Sequence, residues 1–268
     1  MALIVSKKTC LARLLLMSLA FASGPMSGQM SFAQHDPSGV GASKNTLTPV
    51  LVELFTSEGC SDCPPADALL ARLDSSQFVP GAMAIVLSEH VTYWNHLGWR
   101  DPFSFEEMDA RQQDYSTRFR LNSVYTPQMV VDGAEQFVGS DSRALTHAVQ
   151  TAASRAKLAV AIVDLRLNNG KVVFSLQSGA SNGDARWYVA IAEDATHSEV
   201  AKGENAGRTL HHVAVVRTLK QLHGNAGAQE IKLPIDAGAN PSANLRLVVF
   251  AIDAHTGAVV AAAEHPIR

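Results

Sequence analysis

The sequence predicts an α/β N-terminal domain followed by an all-β, sandwich-like C-terminal domain, on three observations. Two short apolar runs, VLVELF at 50–55 and AMAIVLSEH at 82–90, flank a stretch whose apolar residues recur at helical spacing. Two more helical stretches follow before Ala156. Beyond Lys157 the chain changes to alternating apolar and polar segments broken by Gly, Asn and Asp, the pattern of half-buried antiparallel strands.

The elements follow in order. VLVELF is apolar on both faces, which suits a buried central strand. In PADALLARLDSS, Ala66, Leu69, Leu70 and Leu73 share one helical face, and Pro64 and Pro65 suit a first turn, where a missing N–H costs little. AMAIVLSEH is a second buried strand, and strand, helix, strand implies a parallel pair with a crossover. An aromatic and polar insert, VTYWNHLGWRDPFS, precedes the charged, solvent-facing helix FEEMDARQQDYSTRF. SVYTPQMVVDG and EQFVGS form a hairpin turning at Asp132-Gly133. SRALTHAVQTAASRA closes the unit as a helix capped by Ser140 or Asp141. VDLRLN and KVVFSLQ form a second hairpin at Asn169-Gly170, and RWYVAIAED, TLHHVAVVRTL, EIKLPI, NLRLVVFAID and AVVAAAEH supply the remaining strands.

Composition narrows the partners. With 268 residues, 47% of them apolar, the chain can bury one large core or two ordinary ones. The net charge of −3 and the lack of a long basic run give no reason to expect nucleic acid or an anionic membrane surface, leaving a protein or a small thiol. Lys7, Lys8 and Arg13 beside the apolar LLLMSLAFA at 14–22 read as an export signal, cleaved after Ala22 or, preferably, Ala33. That apolar core is too short to span a bilayer of about 30 Å. The expected organisation is a signal at 1–33, a flexible lead-in at 34–49, the α/β domain at 50–156 and the β-sandwich at 157–268, with a periplasmic or secreted location.

Export leaves two cysteines, Cys60 and Cys63, in the stretch LFTSEGCSDCPPAD between the first strand and the first helix. A bridge closing so small a ring stabilises little, so a structural staple is the weakest reading. The N-terminus of a helix carries partial positive charge and free N–H groups that favour a thiolate. Cys60 is therefore read as the exposed attacking thiol and Cys63 as the resolving one, with Ser61 and Asp62 tuning the potential. Asp62 opposes the helix charge, because a carboxylate near a thiolate disfavours ionisation.

The stretch CSDC after the first strand, together with Thr126-Pro127 opening a later strand, resembles the thioredoxin-like superfamily. That resemblance implies a thioredoxin-like N-terminal domain, a cis Pro127 against the cysteine pair, and Thr126 and Pro127 aligning an incoming thiol through the backbone. More narrowly, ELFTSEGCSDCPPAD, HVTYWNHLGWRDPFS, YTPQMVVDG and GENAGRTLHHVAVVRTL resemble a family of exported bacterial proteins of unestablished function, over a span from Pro49 to the C-terminus. Gly59 stands where thioredoxins commonly carry tryptophan, and the insert at 91–104 is additional to the minimal fold. Both departures weigh against a general protein reductase.

The chemistry expected is thiol–disulfide exchange with no dissociable cofactor. Zinc needs about four ligands and haem attachment needs a histidine where Pro64 stands. Two readings stand beside exchange. One is a Cu(I) carrier using Cys60, Cys63 and His90, with His96 and Met129 as further donors, although copper chaperones of the resembled fold usually space their cysteines by three residues. The other is a non-catalytic adaptor presenting the aromatic insert. His90 and Trp94 are the insert's candidates for contact with the cysteines or a partner. His211 and His212, adjacent on a strand, must face opposite ways, and with Glu204, Asn205 and Arg208 they are expected to be half-exposed residues making an interdomain contact.

Overall fold

The computed structural model describes residues 47–179, 184–222, 230–235 and 244–267. The expected export signal and most of the expected lead-in lie outside the described residues. Strand β1 (Thr48–Thr56), helix α1 (Pro64–Ser76) and strand β2 (Ala82–His90) come first. Helix α2 (Glu106–Phe119), the hairpin β3 (Gln128–Val131) and β4 (Glu135–Val138), and helix α3 (Ser142–Ala153) follow. Strands β5 (Val160–Asn168), β6 (Lys171–Ser178), β7 (Ala185–Glu199), β8 (Thr209–Leu222), β9 (Ile231–Pro234), β10 (Leu245–Asp253) and β11 (Val259–Ile267) complete the chain.

Each local expectation has its physical cause visible. β1 and β2 pair in parallel across the α1 crossover, from Thr48 opposite Ala82 to Thr56 opposite His90. Asp141 caps α3 by accepting from the N–H groups of Arg143 and Ala144. The β3–β4 and β5–β6 turns place Asp132-Gly133 and Asn169-Gly170 at positive φ, the backbone that the tightest hairpins require.

The assembly corrects the expected fold class. The chain is not an α/β thioredoxin-like domain followed by a separate β-sandwich. Strands make up 47% of the described residues and helices 19%, and eight strands share one mixed sheet in the order β11-β10-β7-β8-β2-β1-β3-β4. The small second sheet is β5-β6-β9. The join lies between β2 and β8, which run parallel with Ser88 opposite Val215. An edge strand left open at β2 would present unpaired backbone groups, and β8 covers it. Alternation reports which face of a strand is buried and is silent on which strand lies at its edge, so the two halves read as separable.

Further ties cross the expected boundary near Ala156. The Val259 N–H donates to the Asp132 carbonyl (2.8 Å), and Lys157 bridges the Asp132 carboxylate (2.5 Å) and the Val259 carbonyl (2.6 Å). The far strand β11 thus returns to the β3–β4 turn. One core consequently mixes Val50, Leu54, Ile85 and Leu87 with Val216, Val248 and Phe250, while a second, around Phe174, Val189 and Leu247, fills the space under the small sheet. Among the described residues no helix is long and apolar enough to cross a membrane.

Candidate functional site

β1 ends at Thr56, and the loop from Ser57 to Asp62 carries the chain into α1 with Cys63 at its N-cap. Cys60 and Cys63 form a disulfide with 5.4 Å between their Cα atoms. Both residues are buried, Cys60 at 1% exposure and Cys63 at 0%, whereas Ser61 and Asp62 between them are exposed. An exposed attacking thiol was expected at Cys60; in the oxidised state it is covered.

The cover comes from the β7–β8 loop, residues 200–208. Asn205, itself 1% exposed, donates its amide to the carbonyls of Glu58 (2.8 Å) and Cys60 (2.9 Å). Arg208 fixes that amide by donating to Asn205 Oδ1 (2.9 Å). Glu204 accepts from the Ser61 N–H at 3.1 Å, a bond that holds its carboxyl below the usual range. Pro64 and Pro65 supply no N–H, so the donors expected at the start of α1 are partly absent and partly taken.

The aromatic insert forms the second wall. A Cβ at Gly59 would lie 2.9 Å from Trp94 Cβ, which explains a glycine at this position. Trp94 donates its indole N–H to Thr126 Oγ1 (2.8 Å), and Trp99 donates to Glu58 Oε2 (2.8 Å) while packing against Gly203. The Thr126-Pro127 bond is cis, and Pro127 is buried beside Gly139, whose own Cβ position faces Leu54 and Ala66 of α1. Trp94 packs on Gly59 of the cysteine loop and reaches Thr126 through its indole N–H, so Thr126 is linked to that loop through Trp94.

Beneath the loop lies a buried acid–base cluster that the sequence reading only half found. His90 is fully buried, with Nδ1 2.7 Å from Asp101 Oδ2, and the same oxygen accepts the Glu58 N–H at 2.8 Å. Burial opposes the Asp101 carboxylate, but His90 and the two backbone donors outweigh it and hold its pKa below the usual value. His212 reaches in from β8, with Nε2 3.3 Å from Glu58 Oε1 and Nδ1 3.8 Å from Asp67 Oδ2. The second separation is too long for a hydrogen bond, so Asp67 acts on His212 as a nearby charge. Burial disfavours the imidazolium, yet the two carboxylates push its pKa up to about 10. The two imidazole rings meet edge to face at 4.6 Å, with Phe103 against both.

His212 is therefore a buried residue of the site, 3% exposed, while His211 on the opposite face is exposed. Their opposite orientation follows from strand geometry; which one would be buried depended on β8 joining β2. Glu58 and Asp101 were also missed. The signal available was five acidic or imidazole side chains, Glu58, Asp67, His90, Asp101 and His212, without any spacing that declares them partners. His96 is exposed and Met129 is buried in the sheet, so neither extends a donor set around the cysteines. Among the described residues no three His, Cys, Asp or Glu side chains group as ligands for a metal ion.

The arrangement defines a class: a mixed-sheet protein whose Cys-x-x-Cys disulfide starts a helix and is roofed by a loop from a distant strand. The chain belongs to the family described as protein of unknown function DUF1223, whose model matches residues 51–251. A crystal structure of protein AGR_C_4864 from Agrobacterium tumefaciens is similar to it at 25% identity and a TM-score of 0.62, covering 82% of this chain and 94% of that one. A β-glucosidase from Kluyveromyces marxianus in complex with glucose overlaps at a TM-score of 0.19 and 12% identity, over 42% of this chain and 14% of that one, and carries no argument. No curated protein matches.

Proposed function

We propose that the protein is an exported thiol–disulfide oxidoreductase that exchanges the Cys60–Cys63 pair with a specific protein or small thiol. The observation that carries this reading is the Cys60–Cys63 disulfide at the start of α1, with Glu58 and Asp67 on either side of it in the chain joined to the buried His212. This is a likeness to thioredoxin-superfamily proteins at the site, not in the whole fold. The N-terminal charges and apolar run support export, and an oxidising compartment is where a disulfide persists.

In the reducing direction, the Cys60 thiolate attacks one sulfur of a partner disulfide and forms a Cys60–partner bond, releasing one partner thiolate. Cys63, once deprotonated, attacks Cys60 Sγ, which closes the protein disulfide and releases the second partner thiolate. Two electrons and two protons pass to the partner, and the opposite direction reverses each step. Asp67 lies one helical turn beyond Cys63 on the same face, and its buried Oδ1 has no hydrogen-bond partner, so in this reading its carboxylate takes up and returns the proton. An imidazolium below the pair adds positive charge that favours a thiolate, supplementing the helix dipole.

The loop at 200–208 gives the reaction its selectivity. A partner reaches Cys60 only after Asn205 releases the Glu58 and Cys60 carbonyls, so a partner able to displace the loop is favoured over bulk thiol. The test is equilibration of the mature protein with graded ratios of reduced and oxidised glutathione, followed by alkylation of free thiols. A reversible two-electron transition lost in Cys60→Ser, with Cys63→Ser trapping a mixed disulfide on Cys60, is the expected result. Thiols that fail to reoxidise, or a Cys60→Ser protein that still exchanges, would end this reading.

A further inference from the structure

On the opposite side of the sheet, helix α2 and strands β7 and β10 enclose a cleft of 240 Å³ that the thiol chemistry does not use. Arg111, Asp114, Tyr115 and Arg118 line it from one face of α2, at the spacing of successive helical turns. Arg186 and Tyr188 line it from alternate positions of β7, and Ile252, the register partner of Arg186 on β10, closes the apolar end.

The charges in this cleft do not cancel. Arg111 is committed to the floor: it bonds Glu53 at 2.5 Å and lies over the rings of Tyr115, Tyr188 and Phe250. Arg118 donates Nη1 to the Gly257 carbonyl (2.5 Å) and stacks over Tyr115 and Phe119, but its Nη2 is buried with no hydrogen-bond partner. Neither Arg118 nor the exposed Arg186 forms an ion pair among the described residues. Asp114 is the one carboxylate of the lining and sits beyond ion-pair distance of both. Burial lowers the pKa of Arg118, and the like charges of Arg111 and Arg186 lower it further. Two guanidiniums against one carboxylate leave the mouth about one charge positive.

We propose that this cleft binds a small organic monocarboxylate with a flat apolar body. Arg186 would hold the carboxylate as a planar donor suited to that group, with the half-buried Arg118 charge behind it, and Tyr188 and Ile252 would border the body. A cleft of 240 Å³ is small for a ligand site, which sets the ligand at a single ring such as that of benzoate. Inorganic phosphate is the competing anion: it would meet Arg186 but leave Tyr188 and Ile252 without an apolar partner.

Calorimetric titration of the full protein with benzoate, benzamide and inorganic phosphate tests this at low chloride. Saturable benzoate binding is expected, with benzamide and phosphate at least tenfold weaker and Arg186→Gln at least tenfold weaker for benzoate. Arg186 is exposed, so the variant should keep the wild-type melting temperature and thiol exchange. No saturation, equal binding of benzamide, tighter binding of phosphate, or an unchanged affinity in Arg186→Gln would each overturn the proposal.

Discussion

Glu89 and His90 are consecutive residues of β2, both fully buried, and they end in two different polar clusters on opposite faces of the sheet. His90 joins Asp101, Glu58, His212 and Asp67 below the cysteine loop. Glu89 joins Glu53, Arg111 and Tyr115 below α2. The first cluster contains His212, whose pKa, against the penalty of burial, Asp67 and Glu58 push up to about 10. The second is built on a guanidinium that stays charged, and there the adjustment falls on a carboxyl: burial and neighbouring Glu53 push Glu89 well above its ordinary pKa. One cluster thus lies against the cysteine loop, while the other holds α2 on the sheet and borders the cleft at Arg186.

The largest way to sharpen that contrast is to remove the fixed charge. Arg111→Met strands the buried Glu53 carboxylate, and breaking a buried pair in this manner costs about 3–5 kcal/mol, read as a fall in the denaturation midpoint. Glu53→Gln in the same background should recover part of the loss. Thiol exchange by the folded fraction should be unaltered, and a coupled loss of exchange would show that the clusters are not separate.

His212→Gln probes the other side. The His212 pKa is raised on folding, so its contribution to stability is complete below its unfolded value of about 6.5 and is lost as pH rises through about 10. Wild-type stability should fall between those limits by an amount on the order of a few kcal/mol, and the variant's profile should be flatter there. Urea denaturation at pH 6.5 and 10 measures the difference. An identical slope in both proteins would mean that His212 is uncharged in the fold. The variant should also slow exchange without removing it.

Asn205→Ala is the smaller perturbation and addresses the roof. It removes two hydrogen bonds to the cysteine loop, worth about 1 kcal/mol each, and should speed reduction of the disulfide by a small thiol by up to roughly thirtyfold. An unchanged reduction rate would show that loop opening does not limit access. Cys60→Ser/Cys63→Ser, by contrast, should shift stability little, since the bridge closes so short a ring.

Much of this protein was legible in its residues because local patterns have local causes. The apolar spacing in α1 and α3, the Asp141 cap, the Asp132-Gly133 and Asn169-Gly170 turns and the buried runs of β1 and β2 all follow from interactions within a few residues. Cys60 and Cys63 were found for the same reason, as a pair at the junction of a strand and a helix. Tertiary structure alone decided what depends on distant partners. It placed β8 along the edge of β2, merging two expected sheets into one, and thereby buried His212 against Glu58. It laid Asn205 over Cys60, 145 residues away in the chain. Periodicity encodes the face a residue presents to the core; hydrogen bonding at a strand's edge is made by backbone groups common to every residue, so the choice of neighbour leaves little trace in the side chains.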